Sequence, residues 1–153
     1  MKNIKAFIIA VLIPLAVGGL SALISRGGMA SFDMITKPPL TPPAIVFPIA
    51  WTILYILMGI ASYFVFVSDS PLKESALKVY GIQLAFNFFW SIFFFNAGAY
   101  LFSFFWLLVM WFLIIVSTLI FYAIDKKSAY LMLPYLIWVT FAGYLNLGVY
   151  ILN

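Results

Sequence analysis

The sequence predicts an all-α integral membrane protein, a bundle of five transmembrane helices with a long ordered loop between the first two. Uncharged apolar runs fill residues 6–25, 44–67, 79–124 and 129–152. The third run is about twice the ~20 residues that cross a ~30 Å hydrocarbon core. Near its middle stands Asn96-Ala97-Gly98-Ala99, which divides it into two spans joined by a tight turn. Composition agrees: with 67% hydrophobic residues and 8% charged, and a mean hydropathy of +1.19, a soluble fold of 153 residues could not bury this much apolar surface. The apolar runs are continuous, whereas a β-barrel needs strands of about ten residues alternating apolar with polar.

The first helix is expected over about residues 4–24. Ala6, Ala10, Pro14, Gly18 and Ala22 recur every four residues, a small-residue seam that lets another helix approach closely. Such a seam serves packing inside one chain or a contact between two. Lys2 and Lys5 before an apolar run also suit a signal peptide. The run is long, however, and no clean Ala-x-Ala site follows it, so a retained helix is expected.

Residues 26–43 are read as a lid loop. Pro38-Pro39 and Pro42-Pro43 cannot extend a helix and push the residues before them toward extended geometry. Ser31 to Ile35 could make one helical turn. At about eighteen residues this connection is long for a compact bundle, and such loops are functional lids or disordered. Its proline stiffness and its apolar Phe32, Met34 and Ile35 favour an ordered lid over the bundle mouth.

The second helix, about 44–67, sets Trp51, Tyr55, Met58 and Ser62 on one face. The third, about 77–95, sets Gln83, Asn87 and Ser91 at intervals of four, with Trp90 beside them. The fourth, about 101–124, is rich in Phe and Leu and reads as lipid-facing. The fifth, about 129–152, sets Tyr135, Trp138, Ala142 and Leu145 or Asn146 on one face. All five form a single domain, residues 1–153.

Charge assigns orientation. With the N-terminus cytoplasmic, Lys2, Lys5, Lys73, Lys78, Lys126 and Lys127 lie inside and only Arg26 and Lys37 outside, which is the positive-inside arrangement. The net charge of +4 therefore belongs to membrane topology, and no nucleic-acid partner is expected. No cysteine or histidine is present, which removes thiol chemistry and the commonest metal ligand. Asp33, Asp69, Glu74 and Asp125 are scattered over three different loops, so no metal site and no conventional catalytic constellation are expected.

A side-chain amide in hydrocarbon must be hydrogen-bonded, so Gln83, Asn87 and Asn146 should point inward. Each could be interhelical glue worth about 1 kcal/mol. Trp106, Trp111, Tyr100 and Tyr130 fit an interfacial aromatic belt. Trp51 and Trp138 lie deeper, on faces shared with small or polar residues. Facing indoles with Asn87, Ser91 and Ala142 describe an apolar pocket with a few orienting polar groups, the usual make-up of a small-molecule site.

Three segments together resemble one known family. Lys37-Pro38-Pro39-Leu40-Thr41-Pro42-Pro43 with Trp51-Thr52-Ile53-Leu54-Tyr55 and Met58-Gly59 is similar to the loop and second helix of the translocator protein family (TspO/MBR), also called tryptophan-rich sensory protein or peripheral benzodiazepine receptor. Gln83-Leu84-Ala85-Phe86-Asn87-Phe88-Phe89-Trp90-Ser91 resembles its third helix. The segment from Pro134-Tyr135-Leu136-Ile137-Trp138 through Phe141-Ala142-Gly143-Tyr144-Leu145-Asn146 resembles its fifth. The resemblance implies a five-helix bundle, commonly a homodimer, in a bacterial cell membrane. Its ligands would be porphyrins such as protoporphyrin IX and haem, sterols, and benzodiazepine or isoquinoline-carboxamide drugs. No cofactor would be required, the porphyrin being ligand or substrate.

Carried over residue by residue, the implied pocket comprises Trp51, Tyr55, Asn87, Trp90, Ser91, Trp138, Ala142 and Leu145, closed above by Phe32 and Pro42. Two departures stand out. Ser31-Phe32 and Leu40 replace residues that are often Trp-Tyr and Trp in the family, giving a less aromatic lid. The sterol-recognition pattern near the end of the fifth helix lacks its basic residue after Tyr150, so strong cholesterol binding is not expected.

Three functions compete on this reading. A receptor or sensor needs only the pocket. Light-dependent porphyrin breakdown would use Trp51 and Trp138 as photochemical participants, with the bound pigment as its own sensitiser. A porphyrin or sterol transporter would ordinarily show repeats, broken helices and intramembrane charge; no repeat is found, and no charge within the spans. Saturable porphyrin flux into sealed proteoliposomes would favour transport.

Overall fold

The computed structural model describes residues 3–153; Lys2, one of the charges used to orient the chain, lies outside them. Its described elements are five long helices, α1 (Ile4–Phe32), α2 (Val46–Phe66), α3 (Lys73–Ser91), α4 (Tyr100–Ile124) and α5 (Lys126–Leu152), with a π-helical turn over Ile92–Asn96. Each is long and apolar enough to cross a membrane, α3 together with the π-turn.

α1 departs most from its expected bounds. It starts on an Asn3 cap whose side chain accepts from the Ala6 amide and runs eight residues past the expected end. At 1.5 Å per residue its 29 residues reach about 43 Å, well beyond a ~30 Å core. Arg26, Gly27 and Gly28, read from sequence as loop, are helical. Glycine costs a helix about 1 kcal/mol each, but at Gly28 a Cβ would overlap the Phe95 carbonyl. The glycine therefore lets α1 lie directly on the π-turn. The lid shrinks accordingly from the expected 26–43 to the connection between Phe32 and Val46, with Ser31 and Phe32 in the helix itself.

The other corrections are smaller. α3 begins at Lys73 rather than near 77, and α5 at Lys126 rather than near 129, because charged first turns can lie outside hydrocarbon. Between α3 and α4 the chain reverses at Gly98, whose φ of +60° is the left-handed conformation glycine adopts without strain. Asn96 Nδ2 donates to the Ile24 carbonyl at 3.0 Å, fastening this turn to α1. A single extended residue, Asp125, separates α4 from α5.

α5 packs on α4 and α2, α3 on α4, and α1 on α2, α3 and the π-turn. α1 buries Pro14, Gly18, Ser21 and Ser25, and leaves Ile8, Ile9, Leu12, Ile13, Leu20 and Leu23 exposed, as a lipid-facing helix must. The small-residue seam is used within the chain. A Cβ on Gly59 of α2 would stand 2.7 Å from Val11 Cα and 2.8 Å from the Ala10 carbonyl oxygen, so the two backbones are in contact there.

α4 is not wholly lipid-facing. Ser103, Leu107, Met110, Ile114, Ser117 and Phe121 are buried along one face, while Phe102, Phe105, Val109, Phe112 and Leu119 are exposed on the other. The belt expected from Trp106 and Trp111 is also corrected. Trp106 stacks on Phe86 at 4.2 Å and its indole N–H donates to the Phe86 carbonyl at 2.8 Å. Trp111 donates to Thr140 Oγ1 at 2.9 Å. Both indoles therefore tie helices together. Tyr100 packs on Phe94, and Tyr130 alone of the four stays well exposed.

Candidate functional site

Between α1, α2, α3 and α5, beneath the lid, lies a cavity of about 450 Å³. That size suits a small-molecule site. Every residue expected at the pocket, apart from Asn87, lies on its wall: Phe32, Pro42, Trp51, Tyr55, Trp90, Ser91, Trp138, Ala142 and Leu145.

Two helix faces bring the deep indoles together. Trp51 of α2 and Trp138 of α5 meet edge to face, ring centroids 6.4 Å apart at 89°. Trp51 also stacks on Tyr55, one turn along α2, at 5.5 Å and 25°. Phe47, one turn before Trp51, closes on Trp138 at 6.0 Å. The result is an L-shaped aromatic wall, whose flat faces are suited to contact with a flat apolar molecule. On α3, Trp90 stacks on Phe94 at 5.1 Å, and its N–H donates to Asn146 Oδ1 at 3.0 Å. The Asn146 amide in turn donates to the Tyr100 carbonyl at 2.8 Å. Asn146 is thus the expected interhelical glue and also reaches the cavity wall.

Asn87 is the correction. Its Oδ1 accepts from Tyr55 OH at 2.8 Å, and its Nδ2 donates to Tyr135 OH at 2.8 Å. Tyr135 OH then donates to Gln83 Oε1 at 2.6 Å. This buried chain joins α2, α3 and α5 behind the aromatic wall, so Asn87 holds the Tyr55 ring in place and does not line the cavity. Helical spacing correctly put Asn87 and Gln83 on an inward face; it could not show that tyrosines from two other helices would occupy both ends of the Asn87 amide. Trp138 lines the cavity, and its buried indole N–H has no hydrogen-bond partner.

The lid is fastened to the end of α5. Asn153 accepts from the Thr36 amide at 3.1 Å and donates to the Thr36 carbonyl at 2.7 Å. Pro38 fills the space beside Gly148, where a Cβ would stand 2.6 Å from the Pro38 Cβ. Tyr144 OH donates to the Pro39 carbonyl at 2.7 Å. Next comes Leu40, at φ 71° and 81% exposed. The position where the family often carries tryptophan therefore points away from the cavity here. Phe32, by contrast, packs on Phe94 and Phe95 at 5.6 and 5.5 Å and forms part of the roof.

Sequence reasoning missed the contribution of α1, whose Gly18, Ala22 and Met29 complete one wall. A Cβ on Gly18 would overlap the Tyr55 ring, so the glycine makes room for that aromatic. A small-residue seam reads the same whether it faces a helix or a cavity, and that ambiguity hid the wall. Phe47 was legible in principle, lying four residues before Trp51 on the same face.

The fold and the cavity together define a class: a multi-pass integral membrane protein whose helices enclose an aromatic chamber under a proline-rich lid. The chain belongs to the TspO/MBR family, whose pattern it matches over residues 10–152. It is 34% identical over 138 residues to protein CrtK of Rhodobacter capsulatus, covering 89% of this chain and 85% of that one. Similarity extends to the tryptophan-rich protein TspO of Archaeoglobus fulgidus, 33% identical with 99% of each chain covered. The dog translocator protein 2 is 36% identical, over 79% of this chain and 73% of its own.

Proposed function

We propose that this protein is a membrane receptor or sensor for planar hydrophobic ligands, chiefly porphyrins such as protoporphyrin IX and haem. Benzodiazepine or isoquinoline-carboxamide compounds would compete for the same chamber. The observation that carries this reading is the Trp51–Trp138 pair, perpendicular indoles on the wall of a lidded ~450 Å³ cavity. A flat macrocycle can stack on one ring while its edge meets the other. The apolar remainder of the wall supplies desolvation, the main source of affinity for such ligands.

Titration with protoporphyrin IX tests it. Quenching of tryptophan fluorescence should saturate in the wild type and weaken in Trp51→Phe and Trp138→Phe. Ala142→Thr adds bulk to a wall position one turn beyond Trp138. Crowding of this kind costs about 1–3 kcal/mol, so affinity should fall about tenfold while the thermal midpoint changes little. An unchanged affinity in Ala142→Thr would count against the chamber as the site.

A second reading has its own support. Trp51 and Trp138 would lie against a bound pigment, and indoles are readily oxidised by an excited porphyrin. The indole gives one electron to the excited pigment, and dioxygen, the oxidant, adds to the reduced macrocycle and opens its ring, so light-dependent breakdown would depend on the two indoles and on oxygen. The double variant Trp51→Phe, Trp138→Phe should retain porphyrin at reduced affinity yet lose photodegradation; degradation at the wild-type rate, at saturating protein, would exclude the two indoles from that chemistry.

A further inference from the structure

The chamber is apolar along most of its length, but its mouth is charged. Asp33 and Lys37 both stand on the wall, close to Phe32 and Pro42 of the roof. Lys37 Nζ lies 5.1 Å from the centroid of the Phe32 ring. It donates to the backbone carbonyls of Asp33 at 3.3 Å and Ile35 at 3.4 Å. These bonds are long for an ammonium donor, and both acceptors are neutral groups. They fix the position of the ammonium without cancelling its charge, and they use two of its three protons.

Resting on the porphyrin reading above, we infer that Lys37 selects ligands whose flat apolar body carries a carboxylate on one edge. The body enters among Trp51, Tyr55 and Trp138, and the carboxylate stays at the mouth, accepting the remaining Lys37 proton. Burying an anion deeper would cost its hydration without a partner, so a charged edge and an apolar body orient the ligand in one sense. Asp33 opposes this. It caps α1, where the terminal carbonyls already carry partial negative charge, and its own carboxylate repels an acidic edge. Lys37 and Asp33 therefore act with opposite sign on the same ligand group.

That opposition separates ligand selection from the alternative, in which Lys37 merely braces the end of α1. Protoporphyrin IX and its dimethyl ester share the same ring and differ in the two carboxylates. Their affinities should be measured in nanodiscs of uncharged phosphatidylcholine, so that no lipid headgroup supplies a competing net negative charge. Lys37→Gln should weaken protoporphyrin IX about fivefold, the scale of a partly exposed charge-assisted contact, and leave the dimethyl ester unchanged. Asp33→Asn should strengthen the acid and again leave the ester unchanged.

Equal losses for acid and ester in Lys37→Gln would overturn the carboxylate assignment and leave Lys37 a brace. No change for either ligand in both variants would overturn it as well. Wild-type protein that bound neither acid nor ester would instead overturn the porphyrin reading itself, and this inference with it.

Discussion

Asn87→Ala is expected to destabilise the bundle by about 1–3 kcal/mol. The substitution removes the acceptor of Tyr55 OH and a donor to Tyr135 OH together. A buried hydroxyl left without a partner costs about 1–3 kcal/mol, although polar contacts inside membranes often contribute less, about 0.6–1.7 kcal/mol. Tyr135 keeps its bond to Gln83, so the Tyr55 side bears most of the loss. The ligand effect is then indirect: a Tyr55 ring freed from Asn87 no longer supports Trp51, and porphyrin affinity falls with stability. Thermal unfolding in detergent, combined with a double-mutant cycle, checks this. Tyr55→Phe should be costly in the wild type and nearly neutral in the Asn87→Ala background. A wild-type midpoint with a large loss of affinity would mean that Asn87 touches ligand after all.

Gly59→Val is expected to be at least as damaging, about 3 kcal/mol, because overpacking here cannot be relieved by a rotamer change. The atoms that its Cβ would meet are Val11 Cα and the Ala10 carbonyl oxygen, both backbone, so α1 must shift away from α2. α1 also supplies Gly18 and Ala22 to the cavity wall, and its displacement should open the chamber and lower ligand affinity as well. Gly27→Ala is the control. It lies in α1, the helix that Gly59 touches, with nothing within 4 Å of an added Cβ, and should stabilise by about 0.5–1 kcal/mol through helix propensity. Similar melting shifts in the two variants would show that Gly59 does not mark a close backbone contact.

The five spans were legible because hydrocarbon tolerates so few charges: runs without Asp, Glu, Lys or Arg mark them almost by elimination. The convergence of Trp51 and Trp138 was legible too, since each shares a helical face with small or polar residues. Other features were hidden for identifiable reasons. The extension of α1 through Arg26, Gly27 and Gly28 was obscured because charge and glycine are loop signals in water-exposed chain, while here the glycine serves a contact with Phe95. The roles of Trp106 and Trp111 depended on carbonyl and hydroxyl acceptors on neighbouring helices, which periodicity within one helix does not reveal. For Asn87 the direction was right and the partner was not, because an inward face does not specify which of several neighbours reaches it.

The most direct test is an experimental structure of the protein in lipid nanodiscs saturated with protoporphyrin IX. The account predicts macrocycle density inside the bundle beneath the lid, in contact with Trp51 and Trp138 and bounded by Ala142, with Asn87 still bonded to Tyr55 and Tyr135. Porphyrin found only on the outer, lipid-facing surface of the helices, with the chamber between the two indoles unfilled, would contradict it.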